Sequence, residues 1–328
     1  EITFDGQLGK IYNNAQLMGK IDLPTHISTS FRFIASISTF DYYKKDKLFS
    51  RNDKPSFNSK DERFVKLMVA LPFLANKRAE FSLGYGQLED NYFQSSVIDF
   101  DKDRSDRSTY KLLGGSIGFY GSTLNTRQYA TKGYLEKLIA QVFTGRERFE
   151  PGNPQEGYSP SPQERQSWLQ ISYMKEAYHT MGPKFTLGWM AEALYSSKNF
   201  SENYTATMMQ AGEFAPTPHS KLMYNEAFRA NQYVAAGIKP IYVLNDMFQF
   251  RTEFYGFTPI FPIKKNALNK AYYGKAFSRF EYMGEVSVIC HLPFGAISAY
   301  VNHYSSPRRE WNVGMTIGWQ LFNYRFVE

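Results

Sequence analysis

Trp311-Asn312-Val313-Gly314-Met315-Thr316-Ile317-Gly318-Trp319-Gln320-Leu321-Phe322-Asn323-Tyr324 is the stretch that decides the fold. Trp311, Val313, Met315, Ile317, Trp319 and Leu321 share one parity; Asn312, Gly314, Thr316, Gly318 and Gln320 share the other. A β-strand sends successive side chains to opposite faces, so this segment sets an apolar wall against small and polar residues. Aromatic rings stand at both ends of the apolar wall, as they do where a strand meets two membrane–water interfaces. The segment reads as the closing strand of an all-β, antiparallel transmembrane β-barrel. Trp311, Trp319 and Phe322 mark it at the seam with the first strand.

The remainder of the chain has to be compatible with that reading. At 328 residues it has room for one or two ordinary domains or one large barrel. Mean hydropathy is −0.45, charged residues make up 21%, and no run of 18 apolar residues occurs, which excludes a helical membrane protein. A spanning strand needs only about 9–11 residues, half of them polar, so the same numbers permit a barrel. Aromatics at 17%, with 24 Tyr and 28 Phe, suit interfacial girdles. A soluble β-sandwich with a Tyr- and Phe-rich core is the competing all-β solution.

Cys290 is the single cysteine, which excludes an intrachain disulfide and a cysteine metal cage. The chain starts at Glu1 with neither Met nor a signal-peptide core, and reads as a mature product or a piece of something longer. The net charge of +7 is spread over Lys44-Lys45-Asp46-Lys47, Arg104 to Arg107, Lys264-Lys265 and Arg308-Arg309, each with acidic neighbours. Outer-membrane lipids, lipopolysaccharide phosphates or a polar lumen fit this pattern better than nucleic acid.

Period-2 segments recur along the whole chain. Phe31, Phe33, Ala35 and Ile37 alternate with Arg32, Ser36 and Ser38; Val65, Leu67, Val69 and Leu71 with Lys66 and Ala70; Phe81, Leu83 and Tyr85 with Glu80, Ser82 and Gly84. Phe185, Leu187, Trp189, Ala191, Ala193 and Tyr195 oppose Thr186, Gly188 and Glu192. Phe248, Phe250 and Phe254 oppose Gln249, Arg251 and Glu253, and Phe280, Tyr282, Val286 and Val288 oppose Arg279, Glu281 and Glu285. Charges kept to one parity in strand after strand are what a wet lumen and a lipid exterior require. Short turns near 22–25, 74–77, 180–183 and 292–295 alternate with long polar loops at 44–61, 94–107, 147–163, 212–231 and 261–274. The expectation is one barrel over 1–328 with sixteen strands, within a range of fourteen to sixteen, and both termini on the periplasmic side.

Two segments carry a family resemblance. Arg127-Gln128-Tyr129-Ala130-Thr131-Lys132-Gly133 resembles the strand connection ending in Phe-Pro-Thr-x-Gly of the outer-membrane assembly-factor superfamily, the group of BamA-like, TamA-like, two-partner secretion and bacterial surface antigen barrels. Arg127, Thr131 and Gly133 are its turn residues here, and Tyr129-Ala130 replaces Phe-Pro. Glu226-Ala227-Phe228-Arg229-Ala230-Asn231-Gln232-Tyr233 resembles the same superfamily's Val-Arg-Gly-Phe/Tyr loop, with Ala230 in place of glycine. Five strands should follow it, about 232–242, 246–258, 275–291, 295–304 and 310–323. The resemblance is nearest to the C-terminal barrels of patatin-like phospholipases from Bacteroidetes-type bacteria. It implies that loop 212–231 enters the lumen and that Arg229 latches onto inner-wall carboxylates, Glu253 or Glu281, with Glu285 in reserve.

Catalytic patterns find little support. Gly114-Gly115-Ser116-Ile117-Gly118 matches the G-x-S-x-G elbow, but that elbow needs a strand before it and a helix after it, and here both flanks continue one strand. The five histidines lack paired ligand spacing, and Gly6-Gln7-Leu8-Gly9-Lys10 is too short for a phosphate loop. No cofactor or metal is expected. The leading functional expectation is a barrel that anchors or helps translocate a patatin-like, lipid-hydrolysing N-terminal domain outside these residues. The alternatives are an assembly or secretion factor acting through a seam between first and last strands, and a passive porin. Partners are outer-membrane lipids, the chain's own N-terminal domain or client proteins; self-association into a homo-oligomer is left open.

Overall fold

The computed structural model describes residues 1–24, 28–42, 58–94, 103–153, 165–293, 295–306, 311–318 and 324–327. Nine strands come first: β1 (Ile2–Gln7), β2 (Tyr12–Leu23), β3 (Thr29–Tyr42), β4 (Asn58–Leu74), β5 (Lys77–Tyr92), β6 (Asp106–Ser122), β7 (Gly133–Glu150), β8 (Arg165–Thr180) and β9 (Phe185–Ser196). A connection then carries helix α1 (Tyr204–Gln210) and two short strands, β10 (Gly212–Glu213) and β11 (Arg229–Ala230). β12 (Gln232–Val243), β13 (Phe248–Pro259), β14 (Ile263–Lys265), β15 (Ala271–Tyr273), β16 (Glu281–Leu292), β17 (Gly295–Tyr304) and β18 (Trp311–Ile317) complete the described elements. Fourteen of these form one sheet in the order β1 to β9, β12, β13, β16, β17, β18. Every neighbouring pair is antiparallel, so the wall is a simple meander.

The sheet is built inside out relative to a water-soluble protein. Lys66, Glu80, Gln141, Arg251, Glu253 and Glu285 are buried on its inner face. Leu67, Leu83 and Val142 on the outer face are 60%, 58% and 58% exposed. An exposed apolar surface of this extent is stable only against hydrocarbon, and a bilayer supplies it. No helix among the described residues is long and apolar enough to cross a membrane, so the strands are the crossing elements. Connections at one end are short (75–76, 181–184, 244–247), while those at the other are long (43–57, 93–105, 151–164). In outer-membrane barrels the long end is extracellular.

Among the described residues the wall has fourteen strands, within the expected range of fourteen to sixteen. The long polar loops expected at 212–231 and 261–274 carry β10–β11 and β14–β15, two-stranded ladders of two and three residues per strand. Neither approaches the roughly 9–11 residues a span requires. The five strands expected after Arg229 are all present, although the third begins at Glu281 rather than 275. Ser116 lies mid-strand in β6 and its hydroxyl sits 2.6 Å from that of Ser82 on β5, so the G-x-S-x-G segment is a stretch of wall. Trp311 faces outward from β18, whereas Trp319 and Phe322 lie outside the described residues.

Candidate functional site

Three pieces of chain occupy the interior, each held by a different local cause. The largest is the 197–231 connection. Asn203 accepts from Ala206 N–H through Oδ1 at 2.8 Å, capping α1, and donates from Nδ2 to the Tyr92 hydroxyl on β5, also at 2.8 Å. One side chain therefore starts the helix and fixes it to the wall. The helix's last carbonyls lack partners within the helix, and Lys60 of β4 supplies one by donating to Met209 O at 2.7 Å. On the far side the same connection reaches β16 and β17. His219 Nδ1 lies 2.8 Å from Glu285 and Nε2 lies 3.1 Å from Ser298, with the ring stacked on Tyr300 at 3.6 Å. The wall thus curls round the insert.

Arg229 is buried inside, but the latch is not the one expected. Its Nη2 lies 2.7 Å from Glu213, and its Nη1 donates to Met209 O and Ala211 O at 3.3 Å each. The Tyr224 ring lies 4.7 Å from the guanidinium. Burial works against the charge, yet Glu213, with Tyr42 and Tyr224, holds it above its ordinary range. The carboxylates named from sequence are engaged elsewhere. Glu253 binds Arg251 at 2.8 Å and the Tyr255 hydroxyl at 2.6 Å, Glu281 binds Arg279 at 2.7 Å, and Glu285 serves His219 and Thr217. The cause is the β10–β11 ladder, which makes Glu213 and Arg229 direct cross-strand partners. A residue fixed opposite by the backbone outcompetes one on a distant strand.

The second piece is the connection between β6 and β7. Asn125 Oδ1 accepts from the N–H groups of Thr131 and Lys132 at 3.0 Å each, and its Nδ2 donates to the Thr131 hydroxyl at 3.1 Å. Gly133 has φ +89°, and a Cβ there would stand 2.1 Å from Thr123 O. Only glycine fits that position. Thr131 and Gly133 thereby shape the turn, while Arg127 is exposed. The turn carries Tyr129 and Ala130 across the lumen floor, where Tyr129 O accepts from Gln249 and Ala130 O from Arg251, at 3.1 and 3.0 Å.

The third piece is the C-terminal tail. Phe326 lies against the inner wall beside Phe64 and Phe143, ring centroids 5.9 and 5.7 Å apart. Lys66 donates to Arg325 O at 2.8 Å, Arg32 to the Tyr324 hydroxyl at 3.3 Å, and Phe326 N–H to Glu62. Its seat is made of glycine: Gly84 and Gly114 are cross-strand partners, and a Cβ at Gly86 would meet the Phe326 ring at 3.0 Å. Neither Glu213 nor this tail was identified from sequence. The signal was Phe326, an aromatic at the parity of the polar face.

Among the described residues no ladder joins β1 to β18; β1 pairs with β2 and β18 with β17. Phe4 is 70% exposed and Val313 75%. Unpaired edges of this kind are templates for a further strand.

The antiparallel wall, with its apolar outer face and polar inner face, defines an outer-membrane β-barrel. No protein-family model matches the chain, and no curated protein matches it in sequence. Among solved structures it is similar to BamA from Haemophilus ducreyi lacking POTRA domains 1–3, at 11% identity and a TM-score of 0.61, covering 97% of this chain and 64% of that one. It is also similar to the ferric preacinetobactin receptor BauA of Acinetobacter baumannii (10% identity, TM-score 0.45, 92% and 48% covered) and to CdiB from Escherichia coli (9%, 0.43, 96% and 60%). The chain therefore spans less than two thirds of the BamA structure. At such identities the likeness is one of fold.

Proposed function

We propose that this chain is an assembly- or secretion-type barrel that works at the seam between β1 and β18. The observation that carries the reading is that, among the described residues, no ladder joins those two edges. A backbone N–H or C=O left unpaired in hydrocarbon costs several kcal/mol, so such a seam is completed by another strand. The interior supports the same reading. With the 197–231 insert, the turn and the tail inside, traffic passes beside the wall rather than through its middle.

The test uses proteoliposomes and an unfolded outer-membrane barrel added from urea. In a Cys290→Ser background, Phe4→Cys and Met315→Cys are bridged by a short bismaleimide. The unbridged protein should accelerate folding of the added barrel over empty liposomes, and the bridged protein should not. Equal rates with and without the bridge, or no acceleration by either, would sink the reading.

A second reading is supported by the occupied lumen, which an anchor tolerates and an open channel does not. In it the barrel holds a patatin-like, lipid-hydrolysing N-terminal domain at the membrane. Phospholipase activity of the full gene product, lost on removing the residues before Glu1, would favour it over the seam.

A further inference from the structure

A row of cations crosses the outer face of the wall along one line of register. The registers run Arg63↔Gln87, Gln87↔Lys111, Lys111↔Arg146 and Arg146↔Arg165, over five consecutive strands from β4 to β8. At about 4.8 Å per strand the row is roughly 19 Å long. The four cations point outward and are exposed, and no carboxylate stands in the row. Arg63, Lys111 and Arg146 make no ion pair among the described residues. Arg165 donates from Nε to the Thr144 hydroxyl at 3.3 Å, one step nearer the membrane centre.

The neighbouring rows show that this is a boundary. Toward the long loops lies Asp61–Glu89–Thr109–Arg148, where charges are balanced: Glu89 pairs with Arg107 at 3.2 Å and Arg148 with Glu150 at 2.8 Å. Toward the membrane centre lies Val65–Tyr85–Leu113–Thr144–Ser167, then Leu67–Leu83–Gly115–Val142–Leu169. Like charges directly opposite one another on adjacent strands repel. Here Lys111, Arg146 and Arg165 are such neighbours, without compensation, at the line where the apolar belt begins. A groove of about 700 Å³ runs over them, its lining including Arg107, Lys111, Arg148 and Leu113.

We propose that this row is a binding site for the phosphorylated headgroup of a glycolipid of the lipid A type in the outer leaflet. Its phosphates lie along Arg63, Lys111, Arg146 and Arg165, and its acyl chains lie on the belt beneath. Charge complementarity selects the anion, since a membrane-embedded cation row attracts anionic headgroups. The hydrocarbon immediately below selects a lipid over a free phosphate. The site depends on the membrane reading and not on how the seam works.

The experiment measures lipid binding to the full chain in nanodiscs by native mass spectrometry. The probes are diphosphorylated lipid A, its dephosphorylated form, and inorganic phosphate. Diphosphorylated lipid A should bind at least tenfold more tightly than the dephosphorylated lipid, and inorganic phosphate should not compete at millimolar concentration. The double variant Lys111→Gln/Arg146→Gln should lose at least tenfold in affinity, while Lys184→Gln, exposed in the short 181–184 connection away from the groove, should lose less than threefold. Heat-dependent gel mobility, unchanged in both variants, establishes that the barrels are folded. Equal binding of the two lipids, competition by phosphate, or equal losses in the two variants would each overturn the proposal. A second pair, Arg63→Gln/Arg165→Gln, repeats the test if the first pair fails to fold.

Discussion

Arg229 is buried and its partner Glu213 half-buried, and removing Glu213 strands the arginine's charge inside. Removing one partner of a buried pair costs roughly 3–5 kcal/mol, because the remaining charge has lost its counter-ion. Arg229→Ala should therefore loosen the 197–231 insert, shortening its lifetime against protease while the strands keep their heat-dependent gel shift. Glu213→Gln should do the same, and Glu253→Gln should leave the insert's lifetime unaltered. Equal sensitivity to Glu253→Gln would mean that the wall, not the ladder, holds the arginine. Gly86 offers a second test at this scale. Gly86→Val crowds the Phe326 ring, whose atoms lie 3.0–3.2 Å from where a Cβ would stand, so it should release the tail and expose residues 324–327 to carboxypeptidase. An unchanged tail would show that the glycine is not there to admit the ring.

At the scale of elements, the insert carries a pH-dependent contact. Lys198 is buried, with Tyr110 and Trp168 rings 4.5 and 4.8 Å from its Nζ, and donates to Gln210 at 3.1 Å. Burial lowers its pKa to about 8, partly offset by Glu147 and Asp90. The folded value lies below the ordinary one of 10.5, so the released insert binds more protons between those two values. The cost of burying the charge is fully present below pH 8 and fades as the pH rises toward 10.5. Relative to Lys198→Met, the native insert should gain protease resistance between pH 8 and pH 10; a flat difference would refute the assignment. The strands were legible because a wall between oil and water imposes period 2 on every one of them. The inward parity of Glu253, Glu281 and Glu285 was read correctly for the same reason. Their partners were not, because pairing inside the lumen is set by how a folded insert packs, which leaves no period. β16 starts late for a related reason: Phe277 adopts φ 51°, outside any strand, although its neighbours continue the alternation. The cation row was missed because its members come from five strands and are adjacent only through register.

For the whole molecule, the filled interior and the unpaired seam make separable predictions. In planar bilayers the native barrel should be electrically silent. Replacing 199–229 by a short Gly-Ser linker should give steady conductance if the turn and the tail alone do not seal the ring; continued silence would assign the seal to them. Hydrogen exchange should be fast along β1 and β18 and slow along β4 to β8, and equal protection would mean that the seam closes. The placement of the insert has one more implication, for the order of events during synthesis. Nine of the fourteen wall strands precede it in the chain, yet it is the object around which β4 to β7 bend. Until residue 231 has been made, the earlier two thirds of the sheet has nothing at its centre and must be kept from aggregating by something other than itself. An exported chain truncated before that residue should bind periplasmic holding chaperones persistently, and one ending just beyond it should let them go.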